Sequence, residues 1–318
     1  MSLLSTQFTA MPLPDSPVHL FLSLAKGTFT PHDFWLSPHF RFKFFLRSLL
    51  MPVKTYRLLK MLTAHPAYYE LILNQPRLPC RIQRPYLSTA LNNQQRVNAI
   101  LCHYQTLTTF LSLEAFKKHL GADGLMLSDI NGKNDRRFVI QLTSTHRLDK
   151  EGECSVMLNS DRGQMLAEIT FTLCQQQGKL TMIVGGLQGP NDADAQARVQ
   201  QATKSLHGLF PKRLVLDALT HFASRLGVQA IYAVSNERHV YQSLRYKNRT
   251  KYMHADYNAF WTLAGGVKMA SGFYSLPLIP HQKVLDKVAS KKRAEYRRRY
   301  ALLDDIRQQI DRSVCGIV

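Results

Sequence analysis

Acidic residues are in short supply: 22 Asp and Glu stand against 41 Lys and Arg in 318 residues, a formal net charge of +19. That field attracts nucleic acid, anionic lipid headgroups and acidic proteins alike, because Coulomb steering does not read chemistry. Cysteine is sparse too. Cys80, Cys102, Cys154, Cys174 and Cys315 are odd in number and widely separated, with no CxxC or Cys/His spacing. This argues against a disulfide scaffold or a zinc module and for reduced, mostly buried thiols of a reducing compartment. No stretch reaches the roughly 18 apolar residues that a membrane-spanning helix needs. The first residues lack a cationic leader region, and Pro12, Pro14, Asp15 and Pro17 interrupt their apolar stretch, which makes a poor secretory signal. There is no Gly-x-Ser-x-Gly and no recognisable Cys/His frame for a nucleophile. No metal site is expected. The location expected is cytoplasmic, with peripheral contact at the inner membrane left open.

What is present is a chain 45% hydrophobic, with 16 Phe and 13 Tyr, ample for a packed core. Residues 34 to 62 read FWLSPHFRFKFFLRSLLMPVKTYRLLKML, in which Arg41, Lys43, Arg47, Lys54, Arg57 and Lys60 interleave with aromatics, and no acid occurs between Asp33 and Glu70. Phe42, Phe45, Leu46 and Leu49 recur at helical spacing, Pro52 breaks the run, and Tyr56, Leu59 and Leu62 suggest a second helix. Such a stretch suits an anionic membrane surface, and equally a core-packing helical pair with a solvated basic face. From Ser88, a plausible cap, Val97, Ile100, Leu101 and Tyr104 mark one face of a helix. His103 within it reads better as a packed or capping group than as a catalyst.

After Asn131 the period changes. RFVIQLTS, CSVMLNS, QMLAEITFTLC and KLTMIVGGLQG, separated by turn residues, read as an antiparallel meander, with Ile169, Phe171 and Leu173 alternating with Glu168, Thr170 and Thr172 as in a half-buried strand. A polar connection leads to a helix that Pro211 opens, Leu214, Val215, Ala218, Leu219, Phe222, Ala223 and Leu226 bury, and Gly227 ends. Gln229 to Val234 then makes a short strand, so strand, helix and strand form a parallel βαβ unit joined to the meander. The expected class is mixed α/β: a basic, mainly helical region over 1–125, an α/β domain over 126–275 and a basic helical tail over 276–318. Within that tail, Lys287 to Arg299 holds seven cations and one acid.

Two resemblances follow. The basic aromatic region, Cys102-His103-Tyr104, Gly185-Gly186-Leu187-Gln188-Gly189 and the tract from Leu209 through Gly266 resemble the VirK/YbjX family. The resemblance implies an accessory role in bacterial virulence, envelope stress, outer-membrane or surface-protein integrity and resistance to antimicrobial peptides, in a domain of unknown function. It brings no catalytic residues. About residues 165 to 265 are also similar to acyl-CoA N-acyltransferases, in which a helix N-terminus holds the pyrophosphate of the donor and the next strand leads to an Asn and a Tyr. That likeness places Asn236 and Tyr241 at catalytic positions, Tyr241 as proton donor to the departing thiolate, and Lys212 and Arg213 beside the acyl-CoA phosphates. The departure lies in the phosphate loop: His207-Gly208-Leu209-Phe210-Pro211 keeps one glycine of the pattern, and Pro211 has no N–H to donate. Gly185-Gly186 reads as a bulge or tight strand exit rather than a dinucleotide loop, since no helix follows it directly.

Three functions stay open at this stage: an accessory factor that associates peripherally with the membrane, an N-acyltransferase using acyl-CoA or an acyl carrier, and an RNA-associated regulator. The partners expected are an anionic membrane surface or an acidic or phosphorylated partner. Nucleic acid is the weaker choice, since the basic tail resembles no known nucleic-acid-reading module.

Overall fold

A computed structural model describes residues 13–144, 148–246 and 256–315; residues 1–12, which include most of the stretch read as a poor leader, lie outside them. The fold is mixed, with a helical N-terminal half leading into one sheet. Helices α1 (Pro17–Lys26), α2 (Pro38–Leu49) and α3 (Pro52–Thr63) each carry proline in the first turn, where the missing N–H has no intrahelical partner to lose. Pro52 therefore starts a helix as well as ending one. Then come α4 (Tyr68–Asn74), a 3-10 stretch over Leu78–Gln83, α5 (Asn93–Phe110) and α6 (Leu113–Leu120). The cap of α5 is Asn92, not Ser88: the Asn92 side chain accepts from the N–H of Gln95, and the Gln95 side chain accepts from the N–H of Asn92. Ser88 lies further back, fully buried, and donates to the Arg238 carbonyl.

Among the described residues the sheet has eight strands in the order β1-β2-β3-β4-β5-β6-β8-β7. They are β1 (Leu125–Asn131), β2 (Arg137–Thr143), β3 (Cys154–Ser160), β4 (Met165–Gln176), β5 (Lys179–Gln188), β6 (Ala230–Val234), β7 (Val267–Lys268) and β8 (Phe273–Leu276). The meander is antiparallel through β5, and β6 lies parallel to it, as the βαβ pattern predicts. The connection between β5 and β6 holds α7 (Ala195–Ser205) and α8 (Pro211–Arg225), so the polar stretch read as loop contains a helix. The sheet also begins earlier than the periodicity suggests, at Leu125. β4 is buried on both faces rather than one: Glu168, Thr170 and Thr172 are as inaccessible as Ile169, Phe171 and Leu173. Its polar side chains meet polar partners, Thr172 with Tyr86 and Thr170 with Ser155, each at 2.8 Å. Past Phe171 the β4 edge has lost β3, and His103 of α5 takes its place, accepting from the N–H of Leu173 at 3.2 Å. His103 is thus packed and capping.

The basic tail is anchored to the core along one side of its helix. Val284 to Lys287 lies outside the helix proper, α10 spans Ser290–Cys315, and Leu302, Leu303, Ile306, Ile310 and Val314 are buried. Gln309 exchanges two hydrogen bonds with the main chain of Asp129 on β1, and Asp311 takes His221 and Arg225 of α8. Lys291, Lys292, Arg297 and Arg298 in the first turns of α10, and Arg312 in its last, are exposed to solvent. A further buried cluster ties the helical half to the sheet. The Arg81 guanidinium, 3% exposed, donates to Gln75 at 2.7 Å and to the Asp149 carbonyl, and lies 3.6 Å from Glu153, which also accepts from the Tyr104 hydroxyl at 2.8 Å. Burial opposes the Arg81 charge, yet Glu153 and Asp149 outweigh it and hold the proton more firmly than usual.

Candidate functional site

β5 and β6 run side by side as far as Val184 and Ala233 and then part. At the parting, the β4–β5 register skips Gly185, which is the bulge that the Gly-Gly pair suggests. The reason for glycine is close approach. A Cβ on Gly185 would stand 1.8 Å from the main-chain oxygen of Glu151, and one on Gly186 would stand 1.8 Å from the Glu151 carboxylate. The turn from Leu148 to Glu153 therefore enters the gap between the strands and lays Glu151 along β5. Gln188 Nε2 donates to both carboxylate oxygens at 3.1 and 3.2 Å, and His239 Nε2 lies 3.9 Å away. His239 Nδ1 accepts from the Tyr241 N–H at 3.2 Å, which leaves the ring proton of neutral His239 on Nε2, facing Glu151. Tyr257, at the start of α9 (Tyr257–Leu263), closes the far side, its hydroxyl accepting from the N–H of Leu187 at 3.2 Å. Burial and then the Glu151 charge raise the pKa of that phenol. Glu151, His239 and Tyr257 are all within 4% of fully buried, so the groove beside the bulge is occupied by the protein's own side chains.

The residues singled out by sequence divide between two places. Asn236 and Tyr241 both follow β6, in successive short 3-10 turns, Asn236–Arg238 and Val240–Gln242, with separate partners. Asn236 uses its whole amide on the start of α9, donating to Asp256 at 2.9 Å and accepting from the Tyr257 N–H at 2.9 Å, while its own N–H donates to Asn258. The Tyr241 ring packs on His239 at 4.8 Å and Tyr246 at 6.0 Å, with Lys150 Nζ 6.0 Å over its face. Lys212 and Arg213, adjacent in the first turn of α8, diverge. Lys212 lies toward the end of β5, where a Cβ on Gly189 would stand 3.4 Å from its Cε, and burial lowers its pKa. Arg213 turns to Asp217 at 3.3 Å, whose carboxyl is pushed up by burial against the pull of Arg213 and Arg307. Glu237, for which spacing offers no partner, pairs with Lys268 at 3.2 Å. Sequence reasoning missed Glu151 and His239. The usable signal was the Gly185-Gly186 pair, which implies something pressed against a strand, without saying what.

A second feature lies on the helical half. Phe44 and Ser48 carry α2 into the core, Phe44 set edge-on against Trp35 at 5.0 Å and both held by Gln83. That choice turns the Phe42, Phe45, Leu46 and Leu49 stripe outward, so the helix that periodicity predicts is present with the stripe on its exposed face. Leu50, Val53 and Tyr56 beside it, and Val18 and Leu22 of α1, are exposed as well. Val18, Phe21, Leu49, Pro52, Tyr56 and Leu59 line a shallow apolar groove of about 230 Å3 between the three helices. Lys43, Arg57 and Lys60 are exposed around this face. Arg41 is not part of that rim: its guanidinium caps the carbonyls of Trp35 and Leu36 at 3.0 and 2.8 Å.

The family model described as protein of unknown function (DUF535) matches residues 33–312, nearly all of the secondary structure just described. The chain belongs to the DUF535 family. Uncharacterized protein YbjX of Escherichia coli K12 is 48% identical over 93% of this chain and 89% of its own length, which accords with the VirK/YbjX resemblance. An uncharacterized Haemophilus influenzae protein is 26% identical over 89% of this chain and 91% of its own. A Mannheimia haemolytica protein named membrane protein LapB is 24% identical over 61% of this chain and 82% of its own. Among the described residues of this DUF535 chain, no helix is long and apolar enough to cross a membrane, and no cluster of three metal-ligating side chains occurs. Cys80, Cys154 and Cys174 are buried free thiols and Cys102 is half-buried.

Proposed function

We propose that this DUF535 protein is an accessory factor that docks peripherally on an anionic membrane surface through the face formed by α1, α2 and α3. The observation that carries the reading is the outward-facing stripe of Phe42, Phe45, Leu46 and Leu49, extended by Leu50, Val53 and Tyr56 and rimmed by cations, in a stretch with no acid between Asp33 and Glu70. Apolar side chains at that density on a water-facing helix cost solvation that an acyl boundary returns, and each lysine or arginine near an anionic leaflet adds on the order of 1 kcal/mol. The pairing of apolar and basic residues in adjacent bands along helices favours a lipid bilayer over an acidic protein, since an interfacial segment presents both.

The name of the Mannheimia relative, a membrane protein, is in keeping with this reading. The cellular setting, support of surface virulence proteins and resistance to antimicrobial peptides from the inner face of the inner membrane, is what the VirK/YbjX resemblance implies. A non-catalytic role fits the groove beside the β5 bulge, which Glu151 and Tyr257 fill. Flotation of the full chain with vesicles of phosphatidylglycerol and phosphatidylethanolamine tests the proposal. Co-flotation that weakens with salt and disappears with phosphatidylcholine alone is expected; a chain that stays at the bottom of the gradient with anionic vesicles at low salt overturns it.

A further inference from the structure

Beside the membrane face, α2 borders a second cavity of different character. One turn of α2 on, Lys43 and Arg47 lie on the flank between its buried side, Phe44 and Ser48, and its outward stripe. That flank walls a cavity of about 180 Å3, whose other walls are Arg84, from the end of the 3-10 stretch, and Arg245, from the turn after Tyr241. Cys80, Gln83 and Phe44 form its floor. Four cations from three distant segments thus converge, and none of the described lining residues is acidic. Among the described residues no carboxylate pairs with Lys43, Arg47, Arg84 or Arg245. The cavity is built rather than incidental. Gln83 is 8% exposed; its side-chain amide bonds the Phe44 carbonyl and the Ser48 hydroxyl, and its main-chain carbonyl accepts from Arg245 Nη1 at 3.2 Å, so this one buried residue ties α2 and the turn after Tyr241 to the 3-10 stretch.

Charges of one sign brought together without a counterion repel. The Arg47 guanidinium registers this, its pKa lowered by partial burial and then by Arg245 and Arg84. A fold that spends three guanidinium groups in this way has assembled the donors that a tetrahedral oxyanion accepts, since each planar fork offers paired N–H groups to phosphate oxygens.

We propose that Arg47, Arg84 and Arg245, with Lys43 at the rim, form a receptor pocket for a phosphate group. The pocket opens next to the apolar stripe of α2, so a protein docked as proposed above holds it near the phosphate level of the leaflet. A lipid headgroup and a soluble phosphorylated compound are the two sources of the same chemistry. The headgroup assignment rests on the membrane reading, whereas the phosphate chemistry does not.

Calorimetric titration of the full chain in phosphate- and sulfate-free buffer tests this, with sodium pyrophosphate as one probe and monomeric dihexanoyl phosphatidic acid as the other. Arg84→Gln and Arg47→Gln are expected to weaken binding at least tenfold, and Arg84→Lys, which keeps the charge and loses the fork, by less. In the absence of probe, Arg84→Gln is expected to melt no lower than wild type, because it relieves repulsion and breaks no ion pair. Binding of both probes assigns a general phosphate receptor; binding of the lipid alone assigns the headgroup. Absence of saturable binding by either probe, or binding that the arginine substitutions leave unchanged, overturns the pocket. Leu46→Ser/Leu49→Ser, which alters only the outward stripe, separates the two ideas: it is expected to lose flotation and keep pyrophosphate binding.

Discussion

Replacing Leu46 and Leu49 with serine tests the membrane face most directly. The two side chains are 44% and 56% exposed, which together amount to about one whole leucine offered to solvent. Burying a full leucine side chain is worth roughly 1.5–3 kcal/mol. If both residues enter the acyl boundary, the double variant loses about that much partition free energy, which is roughly a 10- to 150-fold drop in the vesicle partition coefficient. The fold should scarcely register the change, because substitutions at exposed sites stay within about 0.5 kcal/mol. The measurement is the bound fraction against lipid concentration with phosphatidylglycerol-containing vesicles, with the urea midpoint as a control for folding. Equal partitioning of wild type and Leu46→Ser/Leu49→Ser refutes the assignment of this face, whatever the absolute affinity.

Arg81→Met removes the cation facing Glu153 and Asp149 in a closed interior, and is expected to cost roughly 3–5 kcal/mol in urea unfolding at neutral pH, since an uncompensated carboxylate remains; a midpoint within error of wild type refutes the account of that cluster. Burial holds His65, His103 and His119 neutral, with pKa values pulled down to about 4, about 3 and about 4. The unfolded chain takes these protons near pH 6.5, so the stability is full above that value and falls as pH drops toward 4, by up to about 1.4 kcal/mol per pH unit per histidine. Urea midpoints that do not decline between pH 7.5 and 5 contradict this. Acetyl-CoA or long-chain acyl-CoA at millimolar concentration is expected to leave the melting temperature unchanged, because Glu151 and Tyr257 occupy the strand gap; a clear rise shows that the gap opens to a donor.

The alternation and helical periods made most elements legible, because they report burial on one side of a local segment. The α8 stripe from Leu214 to Leu226 is buried as its spacing implies, and β5 and β6 pair in parallel. Orientation was not legible. Phe42, Phe45, Leu46 and Leu49 satisfy the helical period as well as any core stripe does, and only the tertiary fit of Phe44 to Trp35 and Gln83 decides which side faces in. The same limit hid the site residues. Glu151 meets His239 and Gln188 through the path of a turn, and Arg47 meets Arg84 and Arg245 through three separate segments, so no spacing within one segment encodes either grouping. Ser88 shows the opposite error, a good capping residue used elsewhere because Asn92 and Gln95 form a reciprocal cap four residues on.

The contact between Gln309 and Asp129 has a kinetic meaning. The side-chain amide of Gln309 acts on the edge of β1 as a further strand residue would, giving to the Asp129 carbonyl and accepting from its N–H, across a sequence separation of 180 residues. Closing so long a loop comes late in folding, because its entropy is lost before the contact returns anything. During synthesis, then, the main chain of Asp129 lacks this partner until α10 has emerged, and an unpaired strand edge is a template on which another copy can pair.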